Sequence, residues 1–390
     1  MKKLAIITTH PIQYNAPWFK LLNSNGKVHP KVFYTWGQLQ SNSKFDPGFG
    51  KAIEWDIPLL DGYQYTFVKN TSFDPGSHHR RGIINPSLIK EIEQWQPDAL
   101  LIFGWNFISH LNCIKFFHKK IPILFRGDST LLRKQSFLKS TLRKIYLKYI
   151  YSYIDIAFYV GSENKKYFLK YGLKINQLIS APHAVDNARF ADINNKYQIE
   201  ADNWKKDLKI PDNSLVIVYA GKLESIKNPS IIIEFAMSLR NKAVYFIIVG
   251  NGKLENELKE KCYGNNQIIF IDFQNQQKMP IVYRLGHFFM LSSDSETWGL
   301  SINEAMACSR SLIIRDTCGC SIDLVKDGEN GFLFQKDNIS RLTAKFTELI
   351  DAKENTCWSK MGEESLKIID SYNFTNIVLA IESFFESENK

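Results

Sequence analysis

Two carboxylates stand eight positions apart in the run Glu296-Thr297-Trp298-Gly299-Leu300-Ser301-Ile302-Asn303-Glu304. The spacing puts Glu296 on a loop behind an apolar strand and Glu304 one turn into a helix that starts near Gly299 or Leu300. The first amides of a helix lack partners inside it and carry a partial positive charge, so the backbone over Thr297, Trp298, Gly299 and Leu300 suits a phosphate or diphosphate. A carboxylate before that cradle and another beside it can each accept a pair of hydroxyl hydrogen bonds, as a sugar or a ribose offers. The chemistry that fits is binding of a nucleotide sugar.

A second stretch, Gly221-Lys222-Leu223-Glu224-Ser225-Ile226-Lys227, follows another apolar strand. Gly221 permits close backbone approach, and Lys222 and Lys227 set two cations at the carboxyl edge of a sheet, where open α/β folds bind ligands. Two such charges would stabilise the negative charge growing on a departing diphosphate. Taken alone, the stretch equally reads as two solvated lysines beside a turn. Val249-Gly250-Asn251-Gly252 ends a third strand, and there Gly250 serves either a ligand-facing loop or a plain tight turn. In this order the three stretches occupy strand ends of one sheet.

Positioning these groups requires parallel strands alternating with helices, and the hydrophobic pattern supplies them. Strands are expected at 4–8, 31–35, 99–103, 121–125 and 156–160 in the first half. A second set is expected at 215–220, 243–249, 268–271, 288–292 and 311–314. At 390 residues the chain exceeds what one core usually organises. The expected division is a first Rossmann-like domain over 1–190 and a polar linker over 191–213. A second domain over 214–371 and a terminal helix over 372–390 that returns to the first domain complete it. Residues 38–81 are rich in Gly, Asp, Ser and aromatics, with turn signals at Asp46-Pro47-Gly48 and Asp74-Pro75-Gly76. That stretch is a binding loop or an insertion without a role.

A hydrophobic fraction of 44% with 23% charged residues excludes disorder and low complexity. No apolar run reaches the roughly 18 residues of a membrane span, and the apolar start Leu4-Ala5-Ile6-Ile7 is too short for a signal peptide, so a cytoplasmic address is expected. The six cysteines lack the paired spacing of structural zinc. Nine positive charges remain net, and the window from Lys115 to Lys148 alone holds ten cations against the single acid Asp128. Between Leu131 and Tyr153 those cations, Lys134 among them, interleave with apolar residues at helical spacing. Two readings stand side by side. One is peripheral contact of the basic helix from Arg133 to Lys148 with an anionic membrane, on the inner face of the cytoplasmic membrane, and the other is a helix packed on a sheet with a solvated basic face. Nucleic acid is not expected, since no recognised motif accompanies the charge.

These motifs together resemble family 4 of the retaining GT-B glycosyltransferases. The E-x7-E element matches at Glu296 and Glu304, and the basic pair at Lys222 and Lys227. Gly319-Cys320-Ser321-Ile322-Asp323 and Asp327-Gly328-Glu329-Asn330-Gly331 are similar to the family's segment after the helix. Pro182-His183-Ala184-Val185-Asp186 resembles the stretch that closes the first domain. The resemblance is dense from about 181 to 334 and thin before. It implies an α/β GT-B fold, two Rossmann-like domains facing a central cleft, and transfer of a sugar from a UDP- or GDP-sugar to a glycan or lipid-linked acceptor of a bacterial surface polysaccharide. Glu296 would hold the donor sugar, Glu304 the ribose, Lys222 and Lys227 the diphosphate, and the amides around Gly299 and Leu300 the distal phosphate.

The chain departs from the family at Cys320, where a second glycine stands in relatives, and at Asp323, where a glutamate does. Where many relatives carry a histidine after the fourth strand, it has Phe125-Arg126-Gly127-Asp128. Arg126 and Asp128 would face the cleft, or form an ion-paired turn. His10, at the end of the first strand, would touch donor or acceptor, or serve as a bonded loop histidine. Asp294-Ser295-Glu296 mimics a metal-binding Asp-x-Asp, but Glu296 belongs to the E-x7-E element, so no metal and no separate cofactor are expected. The alternatives are a nucleotide-sugar epimerase of the same fold and a non-catalytic donor-binding partner subunit. A nicotinamide-dependent oxidoreductase is excluded by the lack of a GxGxxG element.

Overall fold

The computed structural model describes residues 1–37, 43–46, 50–133, 136–352 and 357–387. Pro47, Gly48 and Lys134, singled out above, lie outside them. The chain divides into two compact units, one of Met1–Asn42, Pro58–His183 and Asn373–Lys390, the other of Ser43–Ile57 and Ala184–Tyr372.

In chain order the first half contains β1 (Lys2–Thr8), α1 (Ala16–Ser24), β2 (Val28–Tyr34), β3 (Ser43–Asp46), β4 (Lys51–Glu54) and β5 (Gln64–Phe67). There follow α2 (Leu88–Trp95), β6 (Ala99–Phe103), α3 (Ile108–Phe117), β7 (Ile123–Arg126), α4 (Phe137–Tyr151), β8 (Ile156–Tyr159), α5 (Ser162–Lys170) and β9 (Leu178–Ser180). Among the described residues the first unit's sheet runs β5-β2-β1-β6-β7-β8-β9, with every pairing parallel. Its central strands are buried on both faces, as Leu4, Ala5, Ile6 and Ile7 show, because helices cover the sheet on either side. β1 pairs with β2 on one flank and β6 on the other, so the connections diverge at its end. The edge strands β5 and β9 escape the pattern reading because they are short and half exposed.

The second half continues with α6 (Asn187–Phe190), α7 (Lys196–Asp207), β10 (Leu215–Ala220), α8 (Ser230–Ser238), β11 (Val244–Val249), α9 (Glu255–Lys261) and β12 (Ile268–Ile271). Then come α10 (Met279–Arg284), β13 (Phe288–Leu291), α11 (Leu300–Ala307), β14 (Ser311–Arg315), α12 (Ser321–Leu324), β15 (Gly331–Phe334), α13 (Ile339–Asp351), α14 (Cys357–Ile369) and α15 (Phe374–Ser387). The second unit's sheet is again parallel, in the order β12-β11-β10-β13-β14-β15. All six residues of β10 are buried, and the run Leu-Val-Ile-Val-Tyr-Ala is rich in the β-branched types that a doubly covered strand takes.

Residues 191–213, expected as a linker, are largely α7. Asp192 accepts the amides of Tyr197 (3.0 Å) and Gln198 (2.8 Å) and pairs with the buried Arg284 at 3.6 Å. The segment looked like a connection because α7 buries only Ala201 among its twelve residues. Part of the irregular 38–81 stretch also groups with the second unit. There Asn275 donates to the Glu54 carbonyl at 2.6 Å and the Gln277 amide to the Asp56 carboxylate at 3.2 Å. The C-terminal helix α15 belongs to the first unit, where Glu382 pairs with Lys27 at 3.4 Å and accepts from Asn25 at 3.2 Å.

Candidate active site

In the second sheet β10 lies between β11 and β13, and the connections leaving β10 and β13 run to opposite sides. Such a switch point leaves a crevice at the carboxyl ends of the strands. The loops that border it are 221–228 after β10 and 292–299 after β13. The structure joins them through Lys227, whose ammonium donates to the Glu296 carboxylate. Residues 69 positions apart in sequence thus form one charge pair, both partners partly open to solvent.

Each partner is fixed from behind. Ser292 donates to the Lys227 and Asn228 carbonyls at 3.1 and 2.9 Å, and Asn228, at φ +45°, donates its side-chain amide to Asp294 at 3.0 Å. Arg315, at the end of β14, donates to the same Asp294 carboxylate and to the Ser292 carbonyl at 3.2 Å. Burial works to raise the Asp294 carboxyl, but the hydrogen bonds from Arg315 and Asn228 outweigh it and hold the group below the usual carboxylate range. Asp294 is thereby committed to its neighbours as an anion.

The loop before α11 is stitched to the next turn. The Gly319 amide donates to the Glu296 carbonyl at 3.0 Å and the Cys320 amide to the Trp298 carbonyl at 3.2 Å. Cys320, which replaces a glycine of the resemblance, is fully buried and contributes through its backbone. Gly299 stands at φ +104° as the residue before α11, a left-handed conformation that leads the chain into the helix at Leu300. Thr297 is exposed, whereas Trp298 is buried and donates its indole N–H to Asn303 at 2.8 Å. Trp298 therefore supports the loop from inside.

Glu304 sits one turn into α11, as the spacing requires, but it is only 2% exposed and accepts from the buried Tyr283 hydroxyl of α10 at 2.6 Å. Nothing in the E-x7-E spacing foretells Tyr283. Gly250 is the clearest glycine requirement of the site. It stands at φ +131°, and a β-carbon there would lie 2.1 Å from the Gly221 carbonyl oxygen. The two strand ends touch backbone to backbone, with the Gly221 amide donating to Val249 and the Leu223 amide to Asn251, each at 3.0 Å. Gly250 thus shapes the turn that carries Lys222.

In the first sheet the switch point lies between β1 and β6. His10 follows β1, half-buried, with Nδ1 2.9 Å from the Thr9 hydroxyl and its ring 5.2 Å from Trp36, edge-on. Arg126, read from the sequence as facing the cleft or as part of an ion-paired turn, is turned into the first unit. It is buried and donates to the Ala181 carbonyl at 2.7 Å and the Pro182 carbonyl at 3.1 Å. Burial pushes its guanidinium down to about 10, with the Asp128 charge opposing. The reason is tertiary, since the chain that follows β9 passes over the end of β7 and needs its carbonyls satisfied. Asp128 remains half-buried on the same strand end. Beside Arg126, His183 is held neutral by burial and by that cation.

Two parallel-sheet Rossmann-like units with this switch-point site define the GT-B fold. Residues 200–365, which lie within the second unit's Ala184–Tyr372, match the model of the family described as glycosyl transferases group 1. The solved structure of a glycosyltransferase from Rickettsia africae has a TM-score of 0.75 at 14% identity, covering 100% of this chain and 99% of that one. An Anabaena protein solved with UDP and glucose gives 0.71 at 16% identity, over 99% and 100% of the two chains. In sequence, the chain is 27% identical over 212 residues to the Escherichia coli UDP-Gal:alpha-D-GlcNAc-diphosphoundecaprenol alpha-1,3-galactosyltransferase, 52% of this chain and 52% of that protein. The chain spans about half the length of the curated relatives it matches.

Proposed function

We propose that the protein moves a sugar from a nucleoside-diphosphate donor, a UDP- or GDP-sugar, to a hydroxyl of a glycan or lipid-linked acceptor of a bacterial surface polysaccharide. The observation that carries this is the Lys227–Glu296 pair at the crevice of the second sheet, next to the first turn of α11. Lys227 and Lys222 meet the diphosphate, the amides around Gly299 and Leu300 meet its distal phosphate, and Glu296 accepts from the sugar hydroxyls. Glu304, held by Tyr283, faces the ribose. The relative that acts with UDP-Gal on a lipid diphosphate and the neighbour that holds UDP and glucose support both the donor class and a lipid-linked acceptor.

Transfer breaks the bond between the anomeric carbon and the β-phosphate oxygen and forms one to the acceptor oxygen on the same face, with retention. The acceptor's proton passes to the departing phosphate, whose growing charge is met by the two lysines and the helix terminus. These groups supply the electrostatics that a metal supplies elsewhere, and turnover in EDTA is expected to be unchanged. His10 and Asp128, at the carboxyl edge of the first sheet, serve the acceptor.

Thermal denaturation with UDP-, GDP-, ADP- and dTDP-sugars tests the donor site. The wild type is expected to be stabilised by one donor class, by about 2–3 kcal/mol at a hundredfold excess over Kd. Glu296→Ala and Lys222→Ala are expected to abolish the shift. No shift with any donor sinks the proposal. Free nucleoside diphosphate released with an altered sugar and no acceptor product would instead indicate an epimerase.

A further inference from the structure

Helix α4 has two apolar faces, and only one is used by the fold. Leu147, Ile150 and Tyr151 are buried in the core of the first unit. Leu138, Leu142, Ile145 and Tyr149 are 69, 61, 66 and 48% exposed. At about 100° per residue these four fall within an arc of roughly 60°, opposite the buried three. A helix merely packed on a sheet has one apolar stripe and a polar back. This one carries a stripe of large apolar side chains on its outer side.

Charge decides what covers it. From 129 to 154 the chain has six cations and no acid. Arg143 turns inward to the Tyr167 hydroxyl at 2.8 Å, but Lys139, on one flank of the exposed stripe, and Lys144 and Lys148, on the other, are exposed. Lys115 of α3 adds its ammonium 5.5 Å from the Tyr149 ring. Apolar side chains along a ridge with lysines on both sides is the arrangement of a helix lying in a lipid interface, its stems packed on the apolar ridge and its ammonium groups at the phosphates. A second copy of the chain would bring the same lysines face to face.

We propose that α4 docks the protein on an anionic lipid bilayer, with Leu138, Leu142, Ile145 and Tyr149 at the acyl boundary and Lys139, Lys144 and Lys148 at the headgroups. The proposal does not rest on the transferase reading, since binding to lipid needs neither donor nor acceptor. Among the described residues no helix is long and apolar enough to cross a membrane, so the contact is peripheral.

Flotation of the full chain with vesicles tests it. The wild type is expected to float with phosphatidylcholine vesicles containing roughly a third phosphatidylglycerol, to stay behind with phosphatidylcholine alone, and to be released by high salt. Leu142→Glu combined with Ile145→Glu should lower the partition on the order of a hundredfold. Charge reversal at Lys139, Lys144 and Lys148 should cost roughly fivefold per residue and remove the preference for anionic lipid. All five positions are exposed, so thermal unfolding and donor-induced shifts should stay as in the wild type, which separates lipid binding from the donor site. Three results would overturn the proposal. One is no flotation of the wild type at low salt, and another is undiminished flotation of the folded double variant, Leu142→Glu with Ile145→Glu. The third is light scattering that shows a dimer which the same double variant turns into a monomer.

Discussion

Lys227 and Glu296 form their ion pair with side chains only 25 and 17% exposed, so the loss of hydration offsets much of the attraction between them. The pair's geometry is instead held by Ser292, Asn228, Asp294 and Arg315 behind it, which is the support expected of groups that must meet a ligand in fixed positions. His287 shows the opposite case, a titratable group absorbed by the fold. Its Nδ1 accepts the Val216 amide at 3.0 Å beside the β10–β13 pairing, and burial, aided by Lys205 and Arg310, lowers its pKa from 6.5 to about 4. The unfolded chain binds a proton there below pH 6.5 while the folded chain does not. The stability from this site is therefore full above about pH 6.5 and lost as pH falls towards about 4, by up to about 3 kcal/mol. His287→Asn, which keeps an acceptor near the Val216 amide, should flatten the unfolding free energy across that window relative to the wild type. An unchanged slope in urea melts would show that other groups govern it.

At the scale of elements, the proposed donor site is two strand ends and one helix start, and their spacing depends on bare backbone contact between Gly221 and Gly250. A β-carbon at Gly250 must both adopt φ +131° and displace the Gly221 carbonyl. Gly250→Ala should cost at least about 2 kcal/mol and weaken the donor-induced thermal shift, because the displaced turn carries Lys222. A variant that melts lower yet shifts normally with donor would separate the turn from the site. Helix α4 divides between two faces, one built into the core of the first unit and the other turned out to solvent with its lysines on either side.

At the scale of the whole molecule, the chain builds each unit from separated segments, so that the first unit is closed by the last helix. Ile377, Val378, Ile381, Phe384 and Phe385 of α15 are buried there, and Glu382 meets Lys27. Removing five large apolar side chains forfeits on the order of 10 kcal/mol, comparable to the whole stability of a domain. A chain ending at Tyr372 should lose the cooperative unfolding of the first unit while the second retains its own transition in calorimetry. One unchanged transition would contradict the division.

Strand periodicity, the helix start at Leu300, the glycine at each strand end and the excess of basic residues before Lys148 are all local properties, and they are legible in the sequence because hydrophobic period and backbone freedom act over a few neighbours. Pairing over long distances is not. The sequence offers Arg126 as a cation at a strand end, but only the path of 181–182 across that end makes it a buried donor to two carbonyls. It places Glu304 on a helix, but only the packing of α10 against α11 supplies Tyr283. It shows polar residues over 191–213, but only Arg284, meeting Asp192, makes that stretch part of a unit. The amphipathic period of α4 is visible in the residues themselves, whereas which of its apolar faces is left outside was decided by the core, because burial is a property of what a surface meets.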